Sequence, residues 1–323
     1  MKKEYLLLVI AIIGLGALLF YQKKGRTNYQ LPVLPVLPES VDRFVLEKDG
    51  QLTELHLADG KWVVGPQQYP ANVARIEKMI AEVKSLKLTA LISEKKNYQL
   101  YELTPEKKTK VALYHADQLL RELQIGKNST SLQHTYVMLK DDPKVYQALG
   151  NLKSNFFVTI AELRDKKVLE ISSEKLAVLD EIILQQQKDG KTQVLRMLKK
   201  VKPGSDSASG KTQPPAPAAV WQQESGVSVT ADAVAELLKN ISELQCESFI
   251  DDRQPEDFKE AVYRVVVKGG GEEFSLDLFA QGDDKYPAIS SQTSYPFILP
   301  SWRADKIVKD FTVYTDLETL SGR

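Results

Sequence analysis

Cysteine occurs once in the 323 residues, at Cys246. That excludes an intramolecular disulfide framework and any paired-cysteine metal site. Histidine occurs three times, at His56, His115 and His134, without metal-ligand spacing, so no metal centre is expected. Net charge is absent as well, with 43 Lys and Arg against 43 Asp and Glu. Nucleic-acid-binding proteins carry a basic excess, so no nucleic-acid partner is expected. What is present has the composition of a folded chain, 43% hydrophobic and 27% charged. Wholesale disorder is therefore excluded, and the length allows about two domains.

The charge balance hides an asymmetry. Residues 1–30 hold five bases and one acid, a net of +4; residues 220–323 hold ten bases and nineteen acids, a net of −9. Clusters such as Asp251-Asp252 and Glu256-Asp257 supply much of the acidity and read as a solvated face.

Residues 6–20 read LLLVIAIIGLGALLF, without a charge. Tyr5 and Tyr21 flank the run, Lys2 and Lys3 precede it, and Lys23, Lys24 and Arg26 follow. Aromatic rings and snorkelling bases at both ends suit the two headgroup layers. Tyr5 to Tyr21 would span roughly 25 Å as a helix, just short of the hydrocarbon thickness. An uncleaved single-pass anchor is expected. The alternative is cleavage after Gly14 and Gly16, which would leave Leu18, Leu19 and Phe20 as an apolar stub. The flanking bases do not fix orientation. The short basic start before an apolar run is a signal-anchor layout, so an inner-membrane protein with a periplasmic body is expected. A cytoplasmic-facing adaptor is the other topology.

After the anchor region (1–30) comes a proline-rich spacer (31–40), LPVLPVLPES, with proline at every third position. This favours polyproline II and a body held away from the bilayer. The rest reads as α+β: an N-terminal transmembrane helix followed by two repeated antiparallel-sheet-plus-helix units. The first covers 41–155 and the second 176–316, with a connector at 156–175 and a tail at 317–323. In the first, VDRFVLE, LTELHL and KWVV are strands joined by KDGQ and ADG turns, and KVALYH, LLRELQI and TYVML follow the helix. In the second, LAVLDEIIL, TQVLRML and WQQ precede the helix, and four more strand patterns follow it. PKVYQALGNL and SWRADKIVKDF read as closing helices. The two long helices align at a shift of 161, setting Val73 on Val234, Ile76 on Leu237, Ile80 on Ile241 and Val83 on Leu244. Asn72 and Asp232 are their expected caps. The second unit also holds a Pro/Gly/Ser/Ala-rich loop at 202–219, which is expected to be disordered.

Several residues invite a chemical reading, and each has a structural one. Trp62 and Trp221 recur before the two helices, which suits packing better than ligand stacking, and Trp302 is expected to dock the last helical stretch. Ser290, Ser291 and Ser294 lie in no nucleophile motif. Gly269-Gly270-Gly271 joins two strands, so it is a hairpin turn rather than a phosphate cradle. The acidic residues at 251–257 lack calcium-loop spacing. Asn128-Ser129-Thr130 fits a glycosylation sequon. Cys246 reads as a small core residue. No catalytic, cofactor or metal residue is assigned, and no small-molecule ligand is identifiable.

An N-terminal anchor, two strand–turn–strand–Trp–helix units, Tyr98-Gln99-Leu100 and the Leu163-Arg164-Asp165-Lys166 run together resemble the bacterial family known as domain of unknown function four-three-four-zero. The family has no assigned catalytic residues. Its members often lie beside genes for gliding-motility-type ABC transporters, which implies an envelope role. The expectation is a membrane-anchored, non-enzymatic scaffold or auxiliary component of an ABC-transporter-type complex, with a membrane-protein partner. The alternative is an envelope hydrolase or carbohydrate-binding module using a site between the units.

Overall fold

The computed structural model describes residues 12–17, 30–201, 219–280, 282 and 284–315. The chain divides into two compact units between Asp165 and Lys166. Both are mixed α+β, and every described strand pair is antiparallel.

The first unit starts with β1 (Arg43–Lys48), β2 (Gln51–Ala58), β3 (Lys61–Val64) and β4 (Tyr69–Pro70). Helix α1 (Val73–Lys84) leads to β5 (Leu88–Ser93), β6 (Thr109–His115), β7 (Gln118–Asn128), β8 (His134–Leu139) and β9 (Val145–Leu149). Two short helices close it, α2 (Leu152–Phe156) and α3 (Ile160–Leu163). The nine strands form one sheet in the order β4-β3-β2-β1-β6-β7-β8-β9-β5. The hairpins turn at Asp49-Gly50 and Asp59-Gly60, where both residues take positive φ. That geometry matches the twist of the paired strands and suits Asp-Gly.

Helix α1 begins where Asn72 accepts from the Arg75 amide at 3.0 Å. Ile76, Met79, Ile80 and Val83 are buried against the sheet, each worth about 1.5–3 kcal/mol of apolar transfer. The expected stripe is thus corrected at one end. Val73 is 47% exposed in the first turn, and Met79 takes the core position. PKVYQALGNL is corrected as well: its middle is strand β9, with Val145, Tyr146 and Ala148 fully buried.

The second unit comprises β10 (Lys167–Glu170), α4 (Ser173–Ala177), β11 (Leu179–Lys188), β12 (Lys191–Val201) and β13 (Ala219–Gln223). Then follow α5 (Ala231–Ser242), β14 (Glu243–Gln245), β15 (Ser248–Phe249), β16 (Tyr263–Gly269), β17 (Glu272–Leu278), β18 (Lys285–Ser290), β19 (Phe297–Pro300) and α6 (Ser301–Ala304). Its main sheet runs β13-β12-β11-β16-β17-β18-β19-β15, and β10 pairs with β14 separately. Helix α5 buries Val234, Leu237 and Ile241. Its cap is Thr230, and Asp232 lies inside the first turn. Of SWRADKIVKDF, Ser301–Ala304 forms α6 and Phe311 opens a 3-10 turn over Phe311–Tyr314.

Helices α1 and α5 each have twelve residues and start 158 positions apart, at Val73 and Ala231. Their buried residues Ile76, Met79 and Val83 fall on Val234, Leu237 and Ile241 at that spacing. At the expected shift of 161, Ile76, Ile80 and Val83 fall on Leu237, Ile241 and Leu244, which are buried as well. A step of three stays on one helix face, so apolar periodicity alone reads nearly as well in either register.

Residues 156–175 are divided between two cores. Phe156, Val158 and Leu163 belong to the first, and Val168, Leu169 and Ile171 to the second. The proline-rich segment, expected to stand clear as a spacer, lies on the first unit. Leu31, Leu34 and Leu37 pack against its core, and Arg121 donates to the Pro35 carbonyl. Residues 12–17, within the expected membrane span, are helical; the remainder of that span is outside the described residues. Among the described residues no helix is long and apolar enough to cross a membrane. Residues 202–218 of the expected disordered loop and the tail at 317–323 also lie outside the described residues.

Candidate functional site

Both tryptophans sit on strands that precede a long helix, Trp62 on β3 opposite Leu57 and Trp221 on β13 opposite Lys199. Trp62 is in the first core at 8% exposure, and Trp221 packs partly buried against the second. Trp302 does not dock: it is 59% exposed, with the Arg303 guanidinium 4.8 Å and the Lys306 ammonium 5.4 Å from its ring centre.

The Leu163-Arg164-Asp165-Lys166 run is structural on both sides of the unit boundary. Leu163 is fully buried, and Arg164 stacks 3.7 Å over the Tyr69 ring. The Asp165 amide donates to the Pro70 carbonyl, and Lys166 donates to the Glu247 carbonyl. Asn128 is engaged at both ends of its amide, donating to Asn151 at 2.6 Å and accepting from Thr135 at 3.0 Å. Ser290 is buried and donates to the Val168 carbonyl, while Ser291 accepts from the Ser275 amide. Gly269-Gly270-Gly271 joins β16 to β17. Cys246 is 4% exposed in the second core. Among the described residues, no group of three or more His, Cys, Asp or Glu side chains could hold a metal ion.

The second unit carries an open cleft where the chain entering β16 crosses the sheet. Alternation turns Leu184, Val265 and Leu276 into the core and sets Gln185, Arg264, Asp277 and Ile289 in one row on the opposite face. Arg264 and Asp277 form a two-point ion pair at 2.5 and 2.6 Å, which raises the guanidinium's pKa. Phe258 lies over this region with its ring 5.1 Å from that of Phe279 and the Arg253 guanidinium 3.8 Å from its centre. Two adjoining cavities of about 980 and 390 Å³ share Gln187, Thr192, Phe258, Glu260 and Phe279. Gln186 lines the smaller one, and its Oε1 is buried without a hydrogen-bond partner. Two carboxylates here have partners, Asp277 in Arg264 and Asp257 in the Gln254 amide at 2.8 Å, and Glu260 lines both cavities.

The first unit brings together three residues that the sequence reading left apart. His115 ends β6, and Ser40 and Asp42 lie just before β1, its neighbour in the sheet. The imidazole Nδ1 is 3.1 Å from the Asp42 carboxylate, and Nε2 is 3.5 Å from the Ser40 hydroxyl. Serine, histidine and aspartate are the residue types of an activated nucleophile, but the imidazole Nδ1 is buried without a hydrogen-bond partner, so the Asp42 carboxylate is near the ring without being hydrogen-bonded to it. The Asp42 carboxylate also accepts from the Ala116 amide at 2.7 Å. The set is on the surface, with the histidine side chain 44% exposed, and none of the cavities described here is lined by it.

Arg121 organises the other end of the first unit. It is 7% exposed and donates to the Val83 carbonyl at 2.7 Å and the Lys84 carbonyl at 3.1 Å. These are carbonyls of the last turn of α1, left without an intrahelical donor. A third donation, to Pro35, ties down the proline strap. Burial lowers the guanidinium's pKa, since no carboxylate accompanies it.

Fold and surface together define an α+β protein of antiparallel sheets, each packed on one face by a helix. The family described as Domain of unknown function (DUF4340) matches residues 62–261, more than half of the chain, and the chain belongs to that family. No curated protein and no solved structure matches the chain.

Proposed function

We propose that this chain is a membrane-anchored envelope protein, a non-enzymatic scaffold or auxiliary component of an ABC-transporter-type complex. The observation that carries the reading is the uncharged run at 6–20 between aromatic and basic flanks. Ile12, Ile13 and Leu15 are 60–65% exposed on the helix at 12–17, so their apolar surface still needs a partner phase. The body lies outside the cytoplasm and offers polar, partly aromatic surfaces to a membrane protein. Retention of the full chain in membranes after alkaline washing tests the anchor, with a C-terminal reporter active only outside the cytoplasm testing orientation. Release by the wash, or a silent reporter, contradicts the corresponding part.

The two units are copies of one fold. Shared element order and the corresponding strand orders of the two sheets support this, together with helices of equal length 158 residues apart.

The Ser40–His115–Asp42 set favours a second reading, a hydrolase of the envelope. A fluorophosphonate probe tests it. Ser40 Oγ would attack phosphorus, fluoride would leave, and the hydroxyl proton would pass to His115 Nε2. Labelling lost in Ser40→Ala would support this reading, and an unlabelled parent would contradict it.

A further inference from the structure

The proline strap presents two faces in period three. Leu31, Leu34 and Leu37 turn inward to the first core. Val33 and Val36 turn outward, 94% and 97% exposed, the two most exposed large hydrophobic side chains among the described residues. The strap is held in this attitude from below. Arg121 donates to the Pro35 carbonyl, and the Lys84 ammonium donates to the Glu39 carbonyl. A free spacer could rotate its valines away from water, whereas this strap has its leucine face committed.

Chain length limits where those valines can be. Ten residue steps separate Tyr21, at the end of the apolar run, from Leu31. Fully extended, they reach roughly 35 Å. Charge adds a direction. Residues 166–323 hold 20 bases and 25 acids, a net of −5, and an anionic surface repels them. Residues 1–165 hold 23 bases and 18 acids, a net of +5. Their basic excess lies mostly beside the apolar run, where it draws this end of the chain towards anionic headgroups.

We infer that the valine face of the docked strap is a membrane-contact surface, with Val33 and Val36 seated in the headgroup layer of the bilayer that residues 6–20 enter. This inference rests on the anchor reading above. The strap then fixes the attitude of the first unit towards the membrane, where a loose tether would let it tumble. Apolar side chains at that depth leave water.

The test is lipid-quencher fluorescence on the full chain carrying Cys246→Ser, reconstituted in phosphatidylethanolamine–phosphatidylglycerol vesicles. A bimane label is placed in turn at Val33→Cys, Val36→Cys, Ile13→Cys and Val194→Cys. Position 13 reports the anchor, and position 194 is an exposed site in the second unit. A parallel set retaining Cys246, which is buried and slow to label, guards against misfolding of the serine background. Shallow spin-labelled lipid is expected to quench positions 33 and 36 at least two-fold more than position 194, with position 13 quenched by deep label. If 13 is quenched while 33 and 36 behave like 194, the strap inference is overturned and the anchor stands. If 13 is not quenched, the anchor reading fails and takes the inference with it. Protection of 33 and 36 from aqueous iodide without lipid quenching would mean that a protein covers them, and would also overturn the inference.

Discussion

The guanidinium of Arg121 donates to the carbonyl of Pro35, 86 residues earlier in the chain. The same group closes the C-terminal turn of α1 through Val83 and Lys84. A cation at that end also meets the negative end of the helix dipole. One side chain from strand β7 therefore couples the strap, the helix and the sheet.

Replacing Arg121 with Met should keep the apolar stem and lose all three donations. Hydrogen bonds from a charged donor to buried carbonyls set the loss at about 2–4 kcal/mol. Urea unfolding measures it, and limited proteolysis should show faster cleavage within residues 30–40. A variant with parental stability and parental cleavage would remove Arg121 from this role.

Trp62 on β3 and Trp221 on β13 are not equally enclosed. Trp62→Ala should cost about 3–5 kcal/mol, as for large-to-small changes in a packed core. Trp221→Ala should cost less, because its ring is only partly buried. Hydrogen exchange on the full chain separates the two, since each variant should speed exchange in its own unit. Equal effects would mean that exposure does not set the difference.

Much of the fold was legible in the sequence because its signals are local. Asp49-Gly50 and Asp59-Gly60 mark hairpins, alternation marks β6 and β7, and Asn72 marks the start of α1. The illegible parts depend on distant residues. Nothing near the strap announces Arg121, and proline spacing alone reads the same for a docked segment as for a free one. Ser40, Asp42 and His115 meet only because β1 pairs with β6, two strands that the intervening hairpins and helix separate in sequence. Strand β9 reads as a helix from sequence because Val145 is its one β-branched residue and the five-residue run is too short for its apolar pattern to decide between periods. Trp302 reads from sequence as docking the last helical stretch because aromatic content alone does not tell a docked ring from one held by neighbouring cations.

Gly126 marks a close approach. A Cβ there would meet the Tyr101 carbonyl oxygen at 2.2 Å and the Leu103 side chain at 2.9 Å. Gly126→Ala should therefore push residues 98–103 off the sheet and cost about 1–3 kcal/mol, as for an overpacked site. Tyr98 should lose its hydrogen bond to the Pro143 carbonyl. Thermal melting together with tyrosine fluorescence checks both effects. Unchanged melting would show that the segment yields freely.

Lys188 and Asp310 lie 2.7 Å apart on the second unit. The ammonium and the Thr312 amide and hydroxyl hold the Asp310 carboxyl well below its ordinary value. A carboxyl depressed in the folded state contributes stability that is present above its unfolded value, near 3.8, and is lost as pH falls towards the folded value. The parent should lose stability relative to Asp310→Asn on acidification below about pH 4. The difference should be small because both partners are half exposed. Parallel unfolding curves from neutral to acidic pH check this, and a difference independent of pH would contradict it.

The central claim, a tethered body that binds a membrane partner, is tested most directly by photocrosslinking of the full chain in intact membranes. Photoreactive side chains at Lys259, beside the cleft of the second unit, and at Trp302 sample two exposed surfaces. The account predicts crosslinks to an integral membrane protein of a transport complex, retained when Ser40 is replaced by Ala. Crosslinks to the chain itself alone, together with fluorophosphonate labelling that vanishes in Ser40→Ala, would contradict it and leave the hydrolase reading in its place.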